Sequence, residues 1–127
     1  MDKSQYWIDL AEYDFETAKA MLQTGRYLYV GFMCHQTIEK MLKAYYVKTR
    51  NEQPPKTHNL RLLASNSGIS LEMSEAQMDF LNILGPLNIE ARYPTDKERI
   101  TKSLNKDRCT TITERTMEMM EWIKSKL

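Results

Sequence analysis

The residues of this sequence best suited to chemistry are an arginine and a tyrosine directly before a proline, in Ala91-Arg92-Tyr93-Pro94. Proline disfavours the helical conformation in the residue before it, so Tyr93 is expected to end or interrupt the preceding helix. Arg92 would then lie in the last turn of a rigid element, where its guanidinium can reach a phosphate or a carboxylate. The polar residues 95–99 behind the proline predict a short, charged turn between two apolar helices.

A second group of polar residues lies along one predicted helix. His35 and Glu39 are four residues apart, as are Glu39 and Lys43. Residues at this spacing are neighbours on a helix surface, so each pair can touch. A solvated face stabilised by such pairs is the usual explanation. These residues flank the apolar stripe of their helix instead of opposing it, which leaves a role in binding open.

A third group follows the proline pair Pro54-Pro55, which predicts an extended loop. Thr57 is a good N-cap, so His58 is predicted to lie in the first turn of a short helix. One interpretation of this histidine is capping or packing. The other is that Lys56, His58 and Arg61 bind an anion at the N-terminus of the helix.

Composition limits the kind of protein this is. A chain of 127 residues is expected to form a single domain, residues 1–127. Lys and Arg total 18 and Asp and Glu total 17, so the formal charge is only +1 and any anion site must be local. The two cysteines, Cys34 and Cys109, fall in apolar helical patterns, as in a reducing compartment. No apolar run predicts a signal segment or a membrane span, so a soluble, cytoplasmic protein without membrane association is expected.

The chemistry of several common sites is absent from the sequence. We find no glycine-rich phosphate loop, no His/Cys metal set and no serine or cysteine nucleophile motif. No metal ion or cofactor is therefore expected. With only His35 and His58 in the chain, the options for acid–base chemistry are narrow.

Apolar residues recur at helical spacing along nearly the whole chain, and no stretch alternates with the period of a strand. Asp14 interrupts the apolar stripe of the first helix, and we expect it at the boundary of the core, facing a neighbouring helix. The pattern predicts an all-α fold, an up-and-down antiparallel bundle of four to five helices. The predicted helices are residues 4–24, residues 27–49, a short helix from 58 to about 65, a helix from 75 that Gly85-Pro86 kinks or splits, and residues 101–126.

Four motifs in this order resemble the HEPN domain, a small all-helical module common in bacteria and archaea. Together they span most of the chain, and the set is more specific than any one of them. They are Leu10-Ala11-Glu12-Tyr13-Asp14 with Gly25-Arg26-Tyr27, the segment from Phe32 to Ala44 that contains His35-Gln36 and Glu39-Lys40, Pro54-Pro55-Lys56-Thr57-His58-Asn59-Leu60, and Ala91-Arg92-Tyr93-Pro94.

The resemblance implies a homodimer with a polar cleft at the dimer seam. It also implies a small nucleotidyltransferase as protein partner, in a pair similar to a toxin and its antitoxin. The resemblance further implies a binding role, in which Arg92 and Tyr93 would form a phosphate clamp and a stacking face for a nucleotide or RNA. The residues that would line the site beside them are Glu39, Lys43, Lys56 and His58.

Active HEPN proteins are metal-independent ribonucleases, whose signature is an arginine followed, after four to six residues, by a histidine. Counted from Arg92, that histidine would fall where this chain has Lys97, Glu98 and Arg99. Arg50 and His58 have seven residues between them, including the proline pair. The sequence therefore favours a nucleotide- or RNA-binding module. The alternatives are an endoribonuclease toxin that uses Arg92 with His58 or His35 as catalytic residues, and a purely structural dimerising bundle.

Overall fold

The computed structural model describes residues 3–91 and 93–127, and within them all regular structure is helical. The all-α prediction is therefore confirmed. Short 3-10 turns lie at Ile69–Glu72, Gly85–Leu87 and Ile89–Ala91. The α-helices are α1, Ser4–Gln23; α2, Tyr27–Arg50; α3, Leu60–Ser67; α4, Glu75–Leu84; α5, Pro94–Ser103; and α6, Lys106–Ser125.

The longest helix, α2, lies at the centre of the bundle and contacts the other five α-helices. Its apolar side chains Cys34, Ile38, Met41 and Leu42 are completely buried. Helix α1 packs along it as the other half of a helical hairpin, and α6 packs against both. Gly25, at φ 75°, makes the three-residue turn between α1 and α2, because this left-handed conformation is strained for residues with a Cβ atom.

One predicted polar position in the core has a clear partner. Asp14 of α1 is buried and forms an ion pair with Lys40 of α2. It therefore faces a neighbouring helix, as its place in the apolar stripe predicted. A buried carboxylate without a cation would oppose folding, so this pair also favours the register in which α1 and α2 pack.

The start of α3 differs from the prediction. The cap is Asn59, whose Oδ1 accepts a hydrogen bond from the backbone N–H of Leu62 at 3.0 Å. Thr57 instead accepts one from the backbone N–H of Asn59 at 3.1 Å. The prediction that His58 lies in the first turn of a helix is therefore wrong. His58 precedes the cap, and its side chain is not restricted by the packing of a helical turn.

The polar residues after Pro94 are also helical, where the sequence predicted a turn. Proline is favourable at the first position of a helix, and Asp96 lies in the first turn, where its charge suits the helix dipole. Helix α5 ends at Ser103, and Asn105 caps α6 by accepting a hydrogen bond from the backbone of Arg108 at 2.8 Å. The predicted helix over residues 101–126 is thus two helices. The predicted start of α4 is confirmed, because Ser74 and Gln77 form a capping box.

None of the helices within residues 3–91 and 93–127 is both long enough and apolar enough to cross a membrane.

The thiol of Cys34 is buried where α2 packs against α6, so its titration tests this packing. Burial raises the pKa of Cys34 to about 11, although the hydroxyl of Thr113, 4.0 Å from its Sγ, partly opposes this effect. Because the folded state favours the neutral thiol, its contribution to stability is complete below pH 9 and is lost as the pH rises from 9 to 11. We expect the free energy of unfolding to fall more steeply over this interval in the wild type than in Cys34→Ala, by up to about 2 kcal/mol. Urea titrations at several pH values across this interval would measure this. Parallel curves for the two proteins would contradict a buried thiol.

Candidate functional site

The candidate site is organised around one buried carboxylate. Glu39, in the middle of α2, is 3% exposed. Its Oε2 accepts a hydrogen bond from Nζ of Lys43 at 3.1 Å, one helical turn further on. Its Oε1 lies 2.9 Å from Nδ1 of His58, and Nδ1 of His35 is 3.8 Å from the same oxygen. Three basic side chains therefore surround this carboxylate.

His58 reaches this carboxylate from the loop between α2 and α3. Pro54 is buried, and the cap of α3 at Asn59 holds the other end of the loop. A carboxylate only accepts hydrogen bonds, so the short contact assigns the hydrogen of a neutral His58 to Nδ1. The imidazole is 61% exposed, which leaves Nε2 facing outward. In this tautomer Nε2 is a hydrogen-bond acceptor held in a fixed direction.

A cavity of about 390 Å³ lies next to His58, between α3 and the end of α4. Buried Leu60 and Leu81 contribute apolar wall. The guanidinium of Arg61 is held in place by donating a hydrogen bond to Oδ1 of Asn82 at 3.1 Å. Asn88 is buried in the wall, and its Oδ1 has no hydrogen-bond partner among the described residues. The cavity, which we call the His58 cavity, thus combines an apolar base with a cation, an imidazole and amides.

The charged cluster continues from Glu39 towards the first helix. Nζ of Lys43 lies 5.4 Å from the ring centroid of Trp7, in a cation–π arrangement. The ammonium is thereby shared between a carboxylate of its own helix and an aromatic ring of α1.

The predicted site residues are only partly brought together. Glu39, Lys43 and His58 form one cluster, and Arg61 shares the His58 cavity. Lys56 is exposed, and it forms no hydrogen bond or ion pair with the described part of the chain. Tyr93 is 78% exposed at the start of α5. Arg92 lies outside the described residues.

Arg50 and His35, which the sequence analysis considered for ribonuclease chemistry, both lie in structural positions. Arg50 donates hydrogen bonds from Nε and Nη2 to the backbone oxygen of Asn66, at 3.2 and 2.9 Å, and so joins the end of α2 to α3. His35 is 1% exposed, which places it inside the bundle behind Glu39. Of the two histidines, only His58 therefore has an imidazole that is open to solvent.

Sequence reasoning missed Trp7 and the two asparagines of the His58 cavity. The position of Trp7 in the apolar stripe of α1 indicates a core residue and gives no sign of a contact with a cation. Asn82 and Asn88 have no spacing in the sequence that would distinguish them from the other asparagines of the chain. Among residues 3–91 and 93–127, no group of three or more His, Cys, Asp and Glu side chains is arranged to hold a metal ion.

Comparison with known proteins agrees with this architecture. The family model described as the HEPN domain matches residues 4–126. Among solved structures, the chain is similar to TT1696 from Thermus thermophilus, with a TM-score of 0.83 and 17% sequence identity over 100% of both chains. At that identity the likeness shows the fold alone. No curated protein matches the chain significantly.

The buried position of Glu39 leads to a prediction about stability. In Glu39→Gln the ammonium of Lys43 would remain buried without a compensating charge, and His58 would lose its carboxylate. We expect a loss of about 3 kcal/mol in the free energy of unfolding, the size typical of breaking a buried ion pair. Urea denaturation would measure it, with the exposed Glu114→Gln as a matched control that should change stability by less than about 0.5 kcal/mol. Equal stabilities for the two variants would show that the cluster does not support the fold.

Proposed function

The chain belongs to the HEPN domain family, and from this premise we propose that it is a nucleotide- or RNA-binding module whose ligand site is the His58 cavity. The observation that carries the proposal is the contact of 2.9 Å between Glu39 and His58, which directs Nε2 of the imidazole outward beside the cavity. A ribose hydroxyl is a donor that this acceptor could bind, and a protonated imidazole would bind a phosphate.

The other groups around the cavity support the same class of ligand. The volume of about 390 Å³ is in the range of small-molecule sites. Arg61 supplies a cation that is already oriented by Asn82, and Lys56 lies in the loop nearby in sequence. The whole chain has a formal charge of only +1, so attraction of a phosphate must come from such local cations. The buried base formed by Leu60 and Leu81 offers an apolar surface for a base or sugar.

The proposal also assigns Arg92 and Tyr93 to the binding of this ligand. We assign Arg92 to the phosphate of the ligand, through the two parallel hydrogen bonds that a guanidinium can donate. The ring of Tyr93 is 78% exposed, so it is free to stack on a base.

The proposal includes two protein partners. One is a second copy of the chain, which would enclose the His58 cavity in a shared cleft. Leu62 supports this contact, because it is 44% exposed on α3, next to Arg61 of the cavity. The other is a minimal nucleotidyltransferase, with which the chain would form a pair similar to a toxin and its antitoxin.

The second candidate function is that of a metal-independent endoribonuclease, and the orientation of His58 is the observation that favours it. Nε2 would accept the proton of a ribose 2′-hydroxyl while the 2′-oxygen bonds to phosphorus. The bond from phosphorus to the 5′-oxygen breaks, and water protonates the leaving 5′-oxygen. Arg92 would stabilise the charge that develops on the phosphate. We rank this function second because Lys97, Glu98 and Arg99 occupy the positions of the histidine that active family members have.

Ligand binding should depend on both proposed contacts. We expect His58→Ala and Arg92→Ala each to weaken binding of ATP or of a fluorescein-labelled RNA decamer about tenfold, the effect of losing one hydrogen bond to a charged group. Fluorescence anisotropy and calorimetry in the presence of EDTA would measure this. Arg99→Ala is the matched control, since that arginine is 81% exposed and paired only with Asp96 among the described residues.

The same samples separate the two functions. Binding that is weakened by both variants, with intact RNA, supports the binding module. Cleavage in EDTA that either variant abolishes would establish the ribonuclease instead. Affinities unchanged in both variants would overturn the placement of the site.

The proposed dimer gives a separate prediction. We expect twice the monomer mass in light scattering at micromolar protein. Leu62→Glu should shift the protein towards monomer, because it places a charge in an apolar contact. Met117→Glu is the control, since Met117 is 47% exposed on α6 and away from the His58 cavity. A wild-type monomer, or equal effects of the two substitutions, would contradict a seam at this face.

A further inference from the structure

A second cavity, of about 640 Å³, lies at the opposite end of α2 from the α1–α2 turn. Because α1 and α2 are antiparallel, the first two turns of α1 face the last turn of α2 and the loop after it. We call this cavity the aromatic pocket. The lining residues that carry the argument are Tyr6, Trp7, Asp9, Val47, Glu52 and Pro54.

Two aromatic rings form one corner of the aromatic pocket. The rings of Tyr6 and Trp7 stand at 82° to each other, with centroids 5.4 Å apart. Val47 and Pro54 are buried and supply apolar wall. Tyr6 is 62% exposed, although it is a large aromatic residue on a helix whose other face is packed. The corner can therefore receive a flat group against one ring and an aliphatic stem against the apolar wall.

The charged side chains that line the pocket include one more carboxylate than ammonium groups, and the ammonium of Lys43 lies behind it, 5.4 Å from the ring centroid of Trp7. Asp9 and Glu52 contribute two carboxylates, whereas Lys3 contributes one ammonium. Nε2 of Gln5 donates a hydrogen bond to Oδ1 of Asp9 at 2.8 Å, and the hydroxyl of Tyr46 donates one to Oε1 of Glu52 at 2.7 Å. The hydrogen bond from Tyr46 to Glu52 raises the pKa of that tyrosine. Each carboxylate is thus oriented through one oxygen, and its other oxygen has no hydrogen bond to a described residue.

This combination selects against a phosphate and in favour of an organic cation. Two carboxylates would repel a nucleotide phosphate, whereas they attract a cation, and aromatic faces add a cation–π contribution. A guanidinium suits the corner better than an ammonium. It is planar, so it can stack on a ring, and it can donate two parallel hydrogen bonds to one carboxylate.

We propose that the aromatic pocket binds an arginine side chain carried by an exposed segment of a partner protein. The guanidinium stacks on the exposed ring of Tyr6 and pairs with Glu52 or Asp9, while its stem lies against Val47 and Pro54. The cavity is larger than one side chain, so residues flanking the arginine occupy the remainder. This site is separate from the His58 cavity, and the proposal does not depend on nucleotide binding.

The test uses the full chain with Trp122→Phe, so that Trp7 is the remaining tryptophan and its fluorescence reports on the pocket. The probe is the peptide acetyl-Gly-Arg-Gly-amide, compared with the same peptide carrying the neutral isostere citrulline. We expect a saturable change in Trp7 fluorescence with the arginine peptide and at least about tenfold weaker binding of the citrulline peptide. A lysine peptide should bind more weakly than the arginine peptide.

Substitutions then locate the binding. Tyr6→Ala and Glu52→Gln should each weaken it at least about fivefold, and thermal melts would verify that both proteins are folded. The matched controls are Tyr13→Ala, an exposed tyrosine two turns further along α1, and Asp79→Asn, an exposed carboxylate on α4; neither should change the affinity. The proposal is overturned by equal binding of the citrulline peptide, by no saturable change at millimolar peptide, or by tighter binding of AMP that Tyr6→Ala abolishes.

Discussion

The structure depends on the compensation of one buried charge, the carboxylate of Glu39. It lies inside the bundle on the central helix, where an isolated charge would be too costly to bury. Lys43 compensates it from within α2, and His58 does so from the following loop. Because the contact with His58 is made 19 residues away along the chain, satisfying the charge also positions the α2–α3 loop. The contact between Glu39 and His58 lowers the cost of burying the carboxylate and also directs the imidazole outward. The same contact therefore supports both the fold and the candidate site.

Lys43 connects the charged cluster around Glu39 with the aromatic pocket. Its ammonium contacts Glu39 on α2 and the ring of Trp7 on α1. Trp7 is in turn a wall of the aromatic pocket, so the two cavities share a chain of contacts although their chemistry differs. The His58 cavity presents a cation, an imidazole and amides, which suit an anionic ligand. The aromatic pocket presents carboxylates and ring faces, which suit a cation. A formal charge of +1 thus conceals two local surfaces of opposite character.

Much of the helical framework could be predicted because the residues that start and end a helix act through local contacts. Ser74 with Gln77 and the glycine after α1 determine helix ends through contacts within a few residues. The predictions failed where two local signals competed. Thr57 and Asn59 are both good caps, and only the position of the loop against α2 decides between them. The charged run after Pro94 lacks an apolar stripe, which is typical of a turn, although proline and an early aspartate favour a helix start.

The sequence by itself determined the all-α class, the neighbouring positions of Glu39 and Lys43 on one helix, and the set of residues from which a site could be built. These depend on the helical period, which makes residues four apart neighbours on one helix whatever the rest of the chain does. Only the tertiary structure decided that His58, and not His35, is the accessible histidine on Glu39, and that Lys56 has no partner in the described part of the chain. It also decided that Tyr6 and Trp7 face Glu52 and Pro54. Such contacts join residues distant along the chain, so they follow from how the helices pack and from no local pattern.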